Sequence, residues 1–542
     1  MENTKFLLSS REHELIEERL LGYVELSDSL IIQNQGLQLY RSALGKKSTL
    51  DVTEWHDGAY IGCFDIGGSW LIRTDIAGQE LLYVYQCDDN WCVSNSLYDL
   101  RNMVREVGWQ LTSDIVGLSF LGDKAWNAQP TTNRTVFNEV KLMFSNQFVL
   151  ISKASSALTI ETQQLSDIFQ WDSDLTCRDL IEKGLNDAVN SLYSFTNISP
   201  DFHLICQLSG GRDSRTTFGM LTKLDLDDAQ VSVQSNKQSR DELKVAESIA
   251  AAYGYHVNDF KLKKRSFAQL DDVYGNWKRA SLGSYTPIYC GQYANPNFGI
   301  QIKGDICISS SFYGQSFDTH INRLKKSIKN SDIQQEVSQE LRNHRSNLEQ
   351  NGFSTEQAKA LLYLFYRSRF HSGRRWSRQL NQLGFVHAPL MKTSLIKAAL
   401  KAIQDGHSFE VFKSTLLIAL DHRLAQFPYS DSAKDITQKD IDNSLFVTPA
   451  EFNLKRKSTY FDEAELRSSD LVPGAKKVTR QQIIERLKLD FDSIKEELKT
   501  CEWFDTSLIE RAEKEFIAAK SLAHHFRATV CCLHAGFALH LI

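Results

Sequence analysis

His203-Leu204-Ile205-Cys206-Gln207-Leu208-Ser209-Gly210-Gly211-Arg212-Asp213-Ser214 opens as a short apolar run and breaks on two glycines. Over residues 214–223 apolar side chains return at helical spacing, and residues 229–234 read as a second strand. Residues 241–254 then carry acids at the start and a glycine at the end, the marks of a helix. Strands alternating with helices predict an α/β fold with a parallel sheet covered on both faces. Ligands on such sheets lie beyond the carboxyl ends of the strands, where residues 209–214 fall.

The two glycines allow a tight turn and a close approach of backbone to an anion. Amides there, backed by a helix amino terminus, make a phosphate cradle to which Ser209 and Ser214 add hydroxyls. A carboxylate beside a phosphate calls for a cation between them, which makes Asp213 a Mg²⁺ ligand. The competing account of the same residues is an ordinary strand-to-helix turn capped by Asp213. The pattern Gly-x4-Gly-Lys-Ser/Thr is absent, so a P-loop is excluded. Cys206 reads as strand core.

Outward from this loop, 542 residues predict two domains. With 62 basic against 67 acidic residues, the net charge of −5 gives no reason to expect a nucleic-acid or anionic-membrane partner. No apolar run approaches the roughly 20 residues that span a bilayer, and the run at Phe6-Leu7-Leu8 is too short for a signal peptide. Ten cysteines show neither Cys-x-x-Cys nor zinc spacing and read as reduced thiols, which predicts a cytoplasmic protein. Residues 28–161 consist of short apolar or alternating runs of strand type, and from Asp172 helical spacing dominates. Beyond Asn330 nearly all is expected to be helix, with a stop at Asn351-Gly352 and a cap at Asp505-Thr506-Ser507.

Ser-Gly-Gly-x-Asp-Ser at 209–214 resembles the pyrophosphate loop of enzymes that cleave ATP to AMP and pyrophosphate, and residues 241–254 resemble the helix that follows in asparagine synthetases. Gly62-Cys63-Phe64-Asp65, residues 71–83 and residues 92–100 resemble, in order, the Gly-x-Phe strand, the Arg-Asp-x-x-Gly hairpin and the Ala-Ser-Glu segment of class II glutaminase domains. The resemblance to the asparagine synthetase superfamily implies a degenerate glutaminase-like αββα sandwich over 1–170. A doubly wound parallel-sheet ATP-pyrophosphatase domain with a large helical carboxyl part would follow over 171–542.

Several positions depart from the family pattern. Class II glutaminases use an amino-terminal cysteine as nucleophile; this chain begins Met1-Glu2-Asn3 and its first cysteine, Cys63, lies in a strand. Glutamine hydrolysis is not expected, and the domain resembles the retained scaffold of β-lactam synthetases and lasso-peptide cyclases. Residues 305–317 resemble the family's next strand and second loop, with uncharged Gly314 and Gln315 where Mg²⁺–pyrophosphate acids stand. In residues 385–392, Phe385, His387 and Lys392 replace a glutamate, an arginine and an aspartate. Lys434 stands near the place of a lysine that stabilises adenylation or acyl transfer, a solvated surface lysine being the alternative. Arg215 is expected to bind phosphate or a substrate carboxylate, or to pair with an acid. The arginine-rich residues 367–376 invite a similar reading, with a charged helix face as the alternative.

The resemblance implies an AMP-forming carboxylate–amine ligase using ATP and Mg²⁺. Asp213 and Lys434 would be catalytic, and Asp213 would hold the metal. Ser209, Gly210, Gly211 and Ser214 would grip pyrophosphate, and Leu208 and Val233 would line the adenine pocket. Its partners would be a small molecule or peptide bearing a carboxylate, and a second copy or a biosynthetic protein. A non-catalytic nucleotide- or partner-binding relative is the alternative; a tRNA-modifying enzyme fits less well, there being no basic surplus.

Overall fold

The alternating runs of the amino-terminal third pair into two antiparallel sheets. The computed structural model describes residues 5–45, 51–121, 132–198, 203–226, 230–259, 266–267, 270–288, 293–294, 299–306, 308–309, 317–328, 330–370, 384–446, 448–467, 478–519 and 526–542. Ten strands come first: β1 (Leu7–Ser9), β2 (Arg19–Glu25), β3 (Ser29–Ile32), β4 (Asp57–Asp65), β5 (Ser69–Thr74), β6 (Tyr83–Cys87), β7 (Asn90–Ser94), β8 (Val140–Leu142), β9 (Gln147–Ser152) and β10 (Leu158–Thr162). Seven follow: β11 (His203–Gln207), β12 (Val231–Gln234), β13 (Ser266–Phe267), β14 (Tyr293–Ala294), β15 (Gly299–Ile302), β16 (Gly384–His387) and β17 (Ser458–Tyr460).

One sheet has the order β1-β7-β6-β8, the other β10-β9-β5-β4-β2-β3-β17. Register sets their faces: Cys63 sits opposite Ile72 and Phe64 opposite Leu71, so successive residues point to opposite sides. Ile61, Cys63 and Ile72 meet Val84, Trp91 and Val93 in a core between the sheets. On the far side, Tyr60, Phe64 and Leu71 pack with Leu37 of the helix Gln33–Leu44. The outer face of the four-stranded sheet, with Tyr83, Tyr85 and Cys92, packs against Leu97 and Leu100 of the helix Leu97–Glu106. Trp277, Ile494 and Phe537 join that core from the helices Leu270–Ser281, Arg480–Thr500 and Arg527–Ala538. Much of this helical layer thus comes from the far end of the chain, as does β17, which pairs in parallel with β3.

The predicted β-α-β unit forms. β12, β11, β15 and β16 make an all-parallel sheet in that order. Leu204, Cys206, Val233, Ile300 and Ile302 are fully buried in it, as a sheet covered on both faces requires. The chain is therefore mixed α/β with several sheets and many helices. Among the described residues no helix is long and apolar enough to cross a membrane.

Two expectations need correction. The strand placed within residues 305–317 lies earlier, at Gly299–Ile302, and the chain after it brings Gly304 onto the backbone of Asp213 and Ser214. The part beyond Asn330 carries β16 and β17 as well as helices; both are too short for periodicity to separate from helix. The cap expected at Asp505-Thr506-Ser507 forms, with Asp505 accepting from Ser507 N at 3.2 Å. The stop after Gln350 falls where predicted, with Gly352 at φ 91°. Gly314, Gln315 and residues 371–376 lie outside the described residues.

Candidate functional site

In chain order the parallel sheet runs second, first, third, fourth, so its winding reverses beside β11. The crevice at such a reversal is where open parallel sheets receive ligands. Residues 209–214 leave β11 at this point. Leu208 N donates to Gln234 O at 2.8 Å, holding the exit from β11 against β12. Ser209 N donates to Ser214 Oγ at 3.1 Å, Gly211 N donates to Ser209 Oγ at 3.2 Å, and the two hydroxyls are 2.8 Å apart. The helix Arg212–Leu221 starts on Gly211 without a side-chain cap. Its first-turn amides have no carbonyl ahead of them and carry the positive end of the helix dipole.

The two glycines turn the chain without left-handed backbone. Neither has a positive φ, and Gly211 sits at an ordinary φ of −92°. Gly210 is needed for space: a β-carbon there would come within 2.4 Å of Ser430 Oγ.

Asp213 is half-buried on the first turn of this helix. Burial pushes its carboxyl above the usual range; Glu410 and Asp305 add to this, while Lys413 and Arg212 oppose it. Asp213 is the carboxylate of this segment that could hold a cation. Among the described residues no group of three or more metal-ligating side chains occurs. Asp305, Glu410 and Lys413 were missed in the sequence. Asp305 follows β15, and only the pairing of β15 with β11 brings it to the loop.

Arg215 hydrogen-bonds main-chain carbonyls, with Asp435 in electrostatic range. It is fully buried, its Nη1 donates to Leu424 O at 3.2 Å and Phe427 O at 2.7 Å, and its Nη2 donates to Pro428 O at 3.0 Å. The guanidinium lies 3.6 Å from the Tyr429 ring centre. Its environment is a loop of carbonyls, which sequence spacing could not reveal. Arg212 is the second clamp: Nη2 donates to Lys434 O at 2.8 Å, and Nη1 to Glu410 Oε2 at 2.9 Å and Ser414 Oγ at 3.2 Å. Through it the backbone of Lys434 reaches the loop, while the Lys434 side chain is 59% exposed, its Nζ 3.7 Å from Asp431.

Leu208 and Val233 are both buried in the core, Val233 opposite Cys206 across β11 and β12. At the same end of the sheet, Lys303 ties three strands together: its side chain bonds Gln207, and its amide donates to His387 O at 2.8 Å.

His387 and Lys392 belong to a buried polar seam against the amino-terminal sheets. His387 bonds Tyr23 Oη at 2.8 Å and Ser191 Oγ at 3.0 Å. Lys392 forms an ion pair with Glu25, which also has Lys457 at 3.6 Å. Beside the seam opens a cavity of about 940 Å³ whose lining includes Trp55, Asp57, Trp171, Asp187 and Lys397.

No family model matches the chain, and no curated protein matches it. Several solved structures are similar to part of it. Two of them are a glutamine phosphoribosylpyrophosphate amidotransferase from B. subtilis complexed with ADP and GMP, and an allosteric regulatory enzyme of purine biosynthesis. Each is 8% identical with a TM-score of 0.15, over 57% of this chain and 58% and 57% of theirs. The chain thus spans less than two thirds of either, and at that TM-score the likeness fixes neither fold nor function.

Proposed function

We propose that this chain is an ATP-dependent amide-bond-forming synthetase without glutaminase chemistry of its own. The observation that carries the proposal is the uncapped amino terminus of the helix Arg212–Leu221, set behind Ser209-Gly210-Gly211 at the reversal point of a parallel sheet. A substrate carboxylate oxygen attacks the α-phosphorus of ATP, the bond to the bridging oxygen breaks, and pyrophosphate leaves. An amine then attacks the acyl carbon, the bond to AMP breaks, and the amine loses its proton. The protein's part is positioning and charge stabilisation. The loop amides and Ser209 and Ser214 grip pyrophosphate. Leu208 and Val233 back the adenine, and Lys413 and Lys434 supply nearby positive charge. Asp213, with Asp305 in electrostatic range, would hold Mg²⁺, which would offset the charge of the leaving group.

Cys63 supports the lack of glutaminase chemistry: it is buried, and burial, then Glu18 and Asp65, push its thiol far above the range of a working nucleophile.

Calorimetric titration with ATP, with and without Mg²⁺, on the native chain and Asp213→Ala, tests the site. Mg²⁺-dependent binding lost in the variant, followed by carboxylate-dependent pyrophosphate exchange, is the expected result. No binding at millimolar ATP would sink the proposal. A nucleotide- or partner-binding protein without catalysis is the second reading. It is favoured by Ser430, which fills the open side of Gly210, and by Ser209 and Ser214, which bond each other. Binding without exchange for any carboxylate would select it.

A further inference from the structure

Where β9 and β10 meet the helices Ser331–Gln350 and Thr355–Leu362, the chain leaves a cavity of about 290 Å³. It shares no residue with the loop at 209–214 or with the larger cavity beside Glu25. Its size is at the low end of small-molecule sites, roughly 300–1,000 Å³, enough for one ring system with a substituent at the mouth. Thr162, Gln164 and Asn347 belong to its lining and are exposed, so the cavity opens to solvent. One wall is a π-helical turn, Tyr363–Ser368, which supplies Phe365 and Tyr366. Such turns are rare and recur at functional sites.

The lining is aromatic and carboxamide. None of the described residues that form it is Asp, Glu, Lys or Arg, although such residues make up 24% of the chain. A charged ligand would lose its hydration here without a counter-charge, so the cavity selects an uncharged one. Phe144 stands perpendicular to Phe365 and Tyr366, with ring centres 5.7 and 6.3 Å away. Aromatic walls of this kind suit the face of a flat ring.

His344 supplies the polar contact. Its Nδ1 bonds Oη of Tyr366, a buried phenol whose proton has no other acceptor among the described residues. Buried hydroxyls keep their proton paired, so Oη donates to Nδ1 and the imidazole proton stands on Nε2. Burial pushes this imidazole down to about 4, so at neutral pH Nε2–H is an uncharged donor. No described residue accepts from it. Asn146 donates its Nδ2 to Gln163 O at 2.8 Å and keeps Oδ1 as an acceptor. Carboxamide edges beside aromatic faces are the means by which proteins hold single bases.

We propose that this cavity binds an uncharged planar heterocycle with a ring carbonyl, the chemistry of a uracil- or hypoxanthine-type base or its nucleoside, whose carbonyl oxygen accepts from His344 Nε2. The ring lies among Phe144, Phe365 and Tyr366, and Asn146 Oδ1 is the acceptor available to the N–H that such rings carry beside the carbonyl.

The test is calorimetric titration of the full chain with uridine, inosine, adenosine, uridine monophosphate and glucose, for the native protein, Asn347→Trp and His344→Phe. Asn347 is exposed and its side chain bonds only Asn351 among the described residues, so Asn347→Trp fills the mouth and leaves the core alone. Binding that this variant removes is assigned to the cavity, which separates it from nucleotide binding at residues 209–214. Uridine or inosine should bind saturably to the native chain and be lost in Asn347→Trp. Adenosine, which has no ring carbonyl, should bind there on the order of tenfold more weakly than inosine, and His344→Phe should weaken uridine and inosine by a similar factor. Uridine monophosphate should bind no more tightly than uridine, since no cation lines the cavity. The proposal is overturned if neither nucleoside binds at millimolar concentration or if Asn347→Trp leaves their binding unchanged. Adenosine equal to inosine, a phosphate that tightens binding, or a response to glucose alone also overturns it. So does a His344→Phe chain that binds as the native one does; if that variant does not fold, inosine against adenosine reads the same contact on the native chain. No reading here depends on ATP or pyrophosphate, so adenylation and this site fail separately.

Discussion

A β-carbon on Gly304 would stand 2.6 Å from the amide nitrogen of Ser214 and 2.7 Å from the carbonyl carbon of Asp213. The chain leaving β15 therefore lies directly on the first turn of the loop helix, and this contact carries Asp305 toward Asp213. Gly304→Ala should force the two backbones apart at about 1–3 kcal/mol. Urea unfolding measures the cost, and titration with ATP should show binding lost along with it.

Gly210 and Ser430 form a second close pair, and here relief is available. Gly210→Ala puts a methyl 2.4 Å from Ser430 Oγ and 2.9 Å from its Cβ. Nucleotide binding should fall in that variant and recover in Gly210→Ala/Ser430→Gly. A double variant no better than the single one would show that the glycine serves something other than space.

Arg215→Lys should cost stability despite keeping the charge. A lysine ammonium cannot reach three carbonyls from residues 424, 427 and 428 and also lie on the Tyr429 ring. The loss should be about 3 kcal/mol, read as a lower urea midpoint with an unchanged slope.

Acid should weaken the seam at Glu25. Burial alone would raise this carboxyl, but Lys392, then Lys457 and His387, outweigh it and hold it far below its usual 4.5. Its contribution is complete above pH 4.5 and is lost as pH falls toward the lower folded value. Glu25→Gln strands two lysines, buried and nearly buried, and should cost about 3–5 kcal/mol at neutral pH. That gap should narrow in melts recorded below pH 4.5.

A histidine adds loss at milder pH. His534 is fully buried, accepts the Gly283 amide at 2.6 Å, and is lowered by burial from 6.5 to about 3. Between those values the unfolded chain takes a proton that the folded chain refuses, so stability falls as pH drops from 6.5 toward 3, by about 1.4 kcal/mol per pH unit. His534→Gln keeps an acceptor for Gly283 and should flatten the melting profile by that one proton.

Local pattern was enough for the loop and its supports. The apolar run at 203–208, the glycines and the polar restart predicted β11 and the loop helix, and residues 229–234 predicted β12, because each needs only its own side-chain period and turn residues. Gly352 ended a helix where expected for the same reason. The site was legible only as far as this one segment. Asp305 lay in the sequence without a role until β15 was placed beside β11. Arg215 looked like an anion binder because its partners are carbonyls, which every residue carries and no sequence distinguishes.

Sequence alone was enough for the α/β character, the first β-α-β unit and the strand, loop and helix over residues 203–221, all products of interactions within a few residues. Tertiary structure alone decided the strand order beside β11, and the covering of an amino-terminal sheet by helices from residues 480–538. It also decided the pairing of Glu25 with Lys392 and the seating of Arg369 over Gly78. Those pairs are hundreds of residues apart, and what joins them is the burial of complementary surfaces, a property of two faces that neither stretch of chain carries on its own.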